Sequence, residues 1–359
     1  MEKRRITLKD IAMASQVSIA TACDVLNNKP RTRVSETTRQ RILETASRLG
    51  YQPHRGARSL RTNLHHLIAV SVLLAPEMPF SPFASELVSG AFKAAREEGW
   101  HITVSGYRDI QEELRQLEEI IAERSVDGVI IYEPVEDDPR ISLLKGKMPF
   151  VLIGSYEKEE VYSVDLDNEG AAFMATQHLI ALGHHHIALV SAPRHYLTCR
   201  SRQRGYRQAL LQAGIPFDQS FVVEVEEYSS QAGAQALEIL LQRNQPRPTA
   251  VVAMDDSLAL GIIYKAHQHG LHVPDDLAVV GFNDARYTEY SEPSLTTVRV
   301  FAEAMARQAT QMLIRLIRQE PVGARHIVMP AQMIIRRSCG SWKKGKSVFQ
   351  NDAGSKGGY

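Results

Sequence analysis

Only three cysteines occur in 359 residues, and Cys23, Cys199 and Cys339 stand far apart. That spacing supplies neither a disulfide framework nor a zinc site. The opening MEKRRITLKD has no apolar core of the kind a signal peptide needs, and no apolar run is long enough to span a membrane. A cytoplasmic chain with no membrane partner is the expectation. Motifs that carry chemistry are equally scarce. There is no Gly-rich phosphate loop and no nucleophile elbow. The adjacent carboxylates Asp137 and Asp138 have no acid/base constellation around them. His184, His185 and His186 imitate a metal cluster, but their loop lies just before a strand, whereas sites in parallel sheets form after strands. Neither an enzyme nor a metal or cofactor site is expected.

The chain does have length and a lopsided charge. It exceeds one ordinary domain and can bury a sizeable core. Its 44% hydrophobic and 23% charged residues describe a globular protein. The formal net charge of +1 conceals a division. Residues 1–62 carry 13 Lys and Arg against 5 Asp and Glu, and the remainder carries 29 against 36. A small basic head on an acidic body suits a nucleic-acid-binding module attached to something that need not touch nucleic acid.

The head begins with Thr7 to Asn28. Apolar residues recur at Leu8, Ile11 and Ala12, then at Val17, Ala22, Val25 and Leu26, which is helical spacing interrupted once. Thr7 with Asp10 forms a variant capping box, and the Ser18 hydroxyl can cap a second helix. Ser15, Gln16 and Val17 form the bend between them. Two short helices joined in this way make a helix-turn-helix, whose second helix can lie in the major groove of DNA. Ser35 to Gly50 reads as a third helix, with Ser35 as cap and Gly50 as stop.

The run TLKDIA…VS…LNN…VSETTRQRILETASRLGYQPHRGARSLRT resembles the DNA-binding head of the lactose-repressor (LacI/GalR) family of bacterial transcription regulators. The match is continuous over about sixty residues. It implies double-stranded operator DNA as partner, with contacts at Thr7, Ser18, Ile19, Ala20, Thr21, Asp24, Asn27, Arg31, Arg33, Ala57 and Leu60. First-turn side chains of the second helix reach base edges. The basic loop NNKPRTR, about two residues longer than is usual in the family, lies near phosphates or is simply solvated. The segment 51–66 corresponds to a hinge that becomes helical on DNA, where Leu60 would wedge into the minor groove. Gly56 replaces a helix former there and weakens a free hinge helix.

From Leu67 onward the pattern alternates. Short apolar runs such as LIAVSVL, VDGVIIYEP, HIALVSAP, TAVVAMDD and LAVVGFND are separated by helix-length segments, including Ser85–Glu98, Asn168–Leu182, Ser201–Ala213 and Ser257–Gly270. Such alternation predicts an α/β body of parallel sheets covered by helices. About eleven strands are too many for one comfortable sheet. Two similar sub-domains around a cleft fit better, as in periplasmic sugar-binding proteins and the body of the resembled family. The expected organisation is a head over 1–50, a hinge over 51–66 and a body over 67–339. Within the body, roughly 67–163 with 296–323 would form one sub-domain and 164–295 with 324–339 the other. The tail 340–359 is Gly/Lys/Ser-rich and is expected to be disordered, without the leucine heptads of a tetramerising coiled coil.

Ligands of open parallel sheets bind beyond the carboxyl ends of strands. With the resemblance, that rule selects six residues. Arg202, in CRSRQRGYRQAL, matches a family arginine that grips the effector, its forked donors suiting hydroxyls or a carboxylate. Asp255 matches a polar sugar contact, while Asp256 either caps the following helix or binds ligand. Asn283 replaces the family's aspartate in a Gly-aromatic-Asp motif, which keeps hydroxyl binding but removes a carboxylate partner for a cationic or purine effector. Tyr228 either stacks on the effector or packs on its own helix. Phe83 and the acidic Glu136 complete the set. The expected function is a homodimeric transcription regulator, a repressor on a palindromic operator, controlled by a small carbohydrate. A purine- or other metabolite-controlled corepressor-type regulator is the alternative within the class, and a solute-binding protein the alternative outside it.

Overall fold

The computed structural model describes residues 6–26, 34–51, 64–74, 81–156, 161–192, 195–243 and 246–344. The chain divides into two compact units, 1–66 and 67–359.

In the first unit, α1 (Leu8–Ala14) opens on a full capping box. The Thr7 hydroxyl accepts from the Asp10 amide at 3.4 Å, and the Asp10 carboxylate accepts from the Thr7 amide at 2.8 Å. The chain turns at Gln16, whose φ of 52° lies in the left-handed region. Helix α2 (Ile19–Leu26) then starts where Ser18 Oγ accepts from the Thr21 amide at 3.0 Å. Helix α3 (Glu36–Arg48) is capped by Ser35 and ends ahead of Gly50, whose φ is 65°. Ile11, Ala12, Ala22, Val25, Ile42 and Ala46 form the buried centre where the three helices meet. The expectations for Asn27, Arg31, Arg33, Ala57 and Leu60 fall outside the described residues, as does that for the tail beyond residue 344.

The second unit holds two six-stranded sheets. Its elements, in chain order, are β1 (Leu67–Leu73), α4 (Pro82–Glu97), β2 (His101–Tyr107), α5 (Ile110–Glu123), β3 (Gly128–Tyr132), α6 (Pro139–Leu144), β4 (Phe150–Ile153), β5 (Ser163–Leu166), α7 (Asn168–Ala181), β6 (Ile187–Ser191), α8 (Leu197–Gln212), β7 (Val222–Glu224), α9 (Ser230–Arg243), β8 (Ala250–Ala253), α10 (Asp256–Gln268), β9 (Ala278–Asn283), β10 (Thr296–Arg299), α11 (Ala302–Ile317), β11 (His326–Met329) and β12 (Gln332–Ile334). The first sheet has the order β11-β5-β4-β3-β1-β2 and is wholly parallel. The second has the order β12-β10-β9-β8-β6-β7, with β12 antiparallel at its edge. The central strands are buried along their length, which is why they read as continuous apolar runs.

Two strands escape sequence reading. SVDL of β5 and HIVM of β11 are short, carry polar residues and pair with each other at one side of the first sheet. Their pairing moves the crossings between lobes away from the expected positions. The chain leaves the first sheet after Leu166 rather than at 163 and returns to it after Arg299 rather than at 295. It crosses last between Met329 and Gln332 rather than at 323. Thr296–Arg299 pairs with β9 and so belongs to the second sheet. Helix α4 starts three residues earlier than the Ser85 expected, because Ser81 caps it and Pro82 occupies its first turn.

Glycines let helices pack closely within each lobe. A Cβ on Gly205 of α8 would lie 2.0 Å from the Glu169 carbonyl oxygen of α7. A Cβ on Gly90 of α4 would lie 2.2 Å from the Glu303 carbonyl oxygen of α11. Only glycine permits either approach.

Candidate functional site

The carboxyl ends of both sheets open on one cleft. Leu73, Phe83, Tyr132, Glu133, Gly154, Asp165 and Leu166 line it from the first lobe. Asn168, Thr198, Arg202, Tyr228, Met254, Asp255 and Asn283 line it from the second.

Arg202, on the second turn of α8, is only 7% exposed. Its Nε donates to Asn168 Oδ1 at 2.9 Å and its Nη1 to the Met254 carbonyl at 2.7 Å. The guanidinium lies over the Phe282 ring, 4.5 Å from its centroid. Asn168 in turn donates to Asp165 Oδ1 at 3.0 Å, and Ser155 donates to Asp165 Oδ2 at 2.7 Å. On the facing wall, Asp255 caps α10 by accepting from the Ser257 amide at 2.6 Å. Its other oxygen accepts from Asn283 Nδ2 at 2.7 Å. Asn283 stands at a φ of 105°.

The cap that sequence reading offers to Asp256 is therefore made by Asp255. Asp256 is buried and turned into the lobe, where it accepts from the Thr297 hydroxyl at 2.6 Å and the Ala285 amide at 2.8 Å. It braces the loop that presents Asn283. Burial, and then the neighbouring Asp255, push its carboxyl well above the usual range.

Five of the six sequence-selected residues, Phe83, Arg202, Tyr228, Asp255 and Asn283, line the cleft together. Glu136 does not. Its carboxylate meets Arg200 Nη1 at 2.8 Å, and the acidic lining residue of that loop is Glu133, immediately after β3. Burial pushes the Glu133 carboxyl up to about 7, opposed by the Arg202 and Arg140 guanidinium groups and reinforced by Asp255. Burial likewise raises Asp165 to about 6, and it raises Asp255. The Tyr228 hydroxyl bonds to Glu133 and lies 3.2 Å from Cys199 Sγ.

A buried ion cluster supports the Glu133 turn. Arg140, 2% exposed, donates to Glu113 Oε2 at 2.9 Å, to Asp138 Oδ2 at 2.6 Å and to the Glu133 carbonyl at 3.0 Å. Asp138 thus serves this cluster and the cap of α6. Glu133 itself sits at a φ of 49°, a conformation its surroundings must hold in place.

Glu133, Asp165 and Asn168 escape sequence reasoning. Glu133 follows an apolar run directly, so the rule about carboxyl ends could have found it. Asp165 lies in a strand too short and polar to recognise. The replacement at Asn283 removes one carboxylate partner, yet five other carboxylates, Glu133, Asp165, Glu226, Glu227 and Asp255, line the cleft.

In the first unit, Ser18, Ile19 and Ala20 are exposed at the start of α2, Thr21 and Asp24 are partly exposed, and Thr7 is exposed with its hydroxyl engaged in the α1 cap.

A basic helix-turn-helix unit on one chain with a two-lobed, cleft-bearing body defines a ligand-controlled regulator of transcription, not an enzyme. The chain belongs to the LacI family. Residues 7–54 match the profile of bacterial regulatory proteins, lacI family, and residues 176–339 that of a periplasmic binding protein-like domain. The HTH-type transcriptional repressor CytR of Escherichia coli (strain K12) is 30% identical over 92% of this chain and 96% of its own length. The HTH-type transcriptional regulator CelR of Thermobifida fusca is 32% identical over 94% and 99%. Among solved structures, a CelR-cellobiose complex superposes with a TM-score of 0.72 at 31% identity, covering 93% of this chain and all of that one. The lac repressor dimer bound to operator and an anti-inducer gives 0.80 at 25% identity, over 94% and 99%.

Proposed function

We propose that the protein is a cytoplasmic repressor that binds a palindromic operator as a homodimer and is controlled by a carbohydrate held in the cleft. The observation that carries this reading is the lining of the cleft. A guanidinium, an amide and carboxylates offer donors and acceptors to hydroxyl groups, and the Phe83 and Tyr228 rings offer cover for the apolar face of a sugar. The cellobiose bound by the CelR relative supports the same ligand class.

Residues 1–50 would read DNA through Ser18, Ile19, Ala20, Thr21 and Asp24, with Thr7, Asn27, Arg31 and Arg33 on the backbone. Residues 51–66 would form the hinge, placing Ala57 and Leu60 in the minor groove. Arg202, Asp255, Asn283, Tyr228 and Phe83 would hold the effector. An effector that closes the lobes must bind one closure state better than the other, and its affinity then differs on and off DNA by the same factor.

A gel shift on the DNA upstream of the protein's own gene, run over a range of salt with and without a panel of mono- and disaccharides and of purines, tests the reading. A steep fall in affinity with salt is expected from counterion release, together with a change in affinity caused by one of the sugars. Salt-insensitive association, or none, would overturn the regulator reading for that DNA. A purine that alone changes the affinity would transfer control to the corepressor alternative.

A further inference from the structure

We propose that the effector is an amine-bearing sugar, whose protonated nitrogen lies between Glu133 of one lobe and Asp255 of the other. This rests on the carbohydrate reading above and narrows it. Glu133, Asp165, Asp255, Glu226 and Glu227 all line the cleft, and Arg202 is its one cationic lining residue among the described residues. Of the three inner carboxylates, Asp165 is already supplied by Ser155 and Asn168, and Asp255 by Ser257 and Asn283. Glu133 has the Tyr228 hydroxyl and the charges of Arg202 and Arg140 in its favour, while the charge of Asp255 across the cleft opposes its ionisation.

Arg202 supplies a second, independent indication. It is more than nine-tenths buried and lines the cleft, and its Nε and Nη1 donate to protein. Its Nη2 has no hydrogen-bond partner among the described residues. That donor suits a ligand hydroxyl. The ligand therefore needs oxygen for Arg202 and positive charge for the opposed carboxylates.

The charge balance decides between ligand classes. Two carboxylates that face one cleft from opposite lobes repel more strongly than in bulk solvent wherever the protein walls lower the effective dielectric. A neutral polyol leaves that repulsion in place, and a sugar phosphate or uronate adds to it. An ammonium group between them converts the repulsion into two attractions and draws the lobes together. The same contact that gives affinity thus favours the closed state.

The test is calorimetry on the full-length protein at neutral pH. The probes are glucosamine, galactosamine, mannosamine and the β-1,4-linked glucosamine disaccharide, each beside its neutral parent and, for the monosaccharides, its uronate. At least one amine is expected to bind tenfold or more tightly than its neutral parent, with its uronate not bound. In Glu133→Gln, with folding checked by circular dichroism, that preference is expected to fall below about threefold. A neutral sugar bound as tightly as its amine, or no amine bound, overturns the proposal. If a neutral sugar also changes operator affinity, the carbohydrate reading survives its loss. Should Glu133→Gln fail to fold, the ratio of amine to neutral sugar in the parent protein decides alone.

Discussion

Arg202 on α8 and Asp165 on β5 belong to different lobes, yet one side chain joins them. Asn168 accepts from Arg202 at 2.9 Å and donates to Asp165 at 3.0 Å. The cation of the cleft is therefore positioned by a relay that starts in the opposite sheet.

Arg202→Ala should abolish the response to effector while DNA binding persists. A charged hydrogen bond to a polar ligand is worth on the order of 1.5–3 kcal/mol, more than tenfold in affinity. Asn168→Ala should show the same defect in weaker form, because the guanidinium loses its anchor and keeps its charge. Calorimetry with the cognate effector checks both. Unchanged affinity in Arg202→Ala would move the site elsewhere.

Stability of the ligand-free protein should fall as pH rises from about 4 to 7. Glu133 and Asp165 are raised to about 7 and about 6 by burial, so the folded chain holds protons that the unfolded chain has already released. Each acid thus disfavours the folded state above its unfolded value, and the full penalty is reached above its folded one. Glu133→Gln should flatten the dependence by on the order of 1–3 kcal/mol. Thermal melts at several pH values, mutant against parent, read this directly. Parallel curves for the two proteins would show that Glu133 titrates normally.

Arg140→Ala should destabilise the body by about 3–5 kcal/mol, since it leaves Glu113 and Asp138 buried without their cation. Denaturant unfolding measures it. A loss under 1 kcal/mol would mean that water enters and solvates the acids.

Asp24 occupies a position where the resembled family usually has arginine. Aspartate repels phosphate and can accept from the N4 amino group of cytosine, with discrimination of roughly 1–3 kcal/mol. It can instead pair with Arg31 or Arg33. Site selection from random DNA on the parent and on Asp24→Ala separates the two. Loss of a cytosine preference at one step is the expected outcome, and identical selected sites would exclude base reading.

Leu60→Ala should weaken operator binding and leave effector affinity and folding intact, because an apolar wedge acts only on the DNA step it unstacks. Equal operator affinity at one fixed salt concentration would refute this.

Local physics was legible in the sequence wherever one residue type decides the matter alone. Thr7 with Asp10, Ser18 and Ser35 announced the caps of three helices, and each hydroxyl makes the bond its position implied. The continuous apolar runs announced buried parallel strands. That Phe83, Arg202, Tyr228, Asp255 and Asn283 would meet followed from strand ends and resemblance. Tertiary structure decided what depends on distant partners. SVDL is held between β4 and HIVM, and HIVM becomes a strand by pairing with SVDL across more than 150 residues of chain. Asp255 rather than Asp256 caps α10, because Thr297 and the Ala285 amide claim Asp256 from the far side. Glu133 rather than Glu136 faces the cleft, because the Arg140 cluster holds the turn at a backbone angle no sequence pattern signals. Capping bonds close within three residues and can be read along the chain. The charge of the cleft is set by groups that only folding brings together.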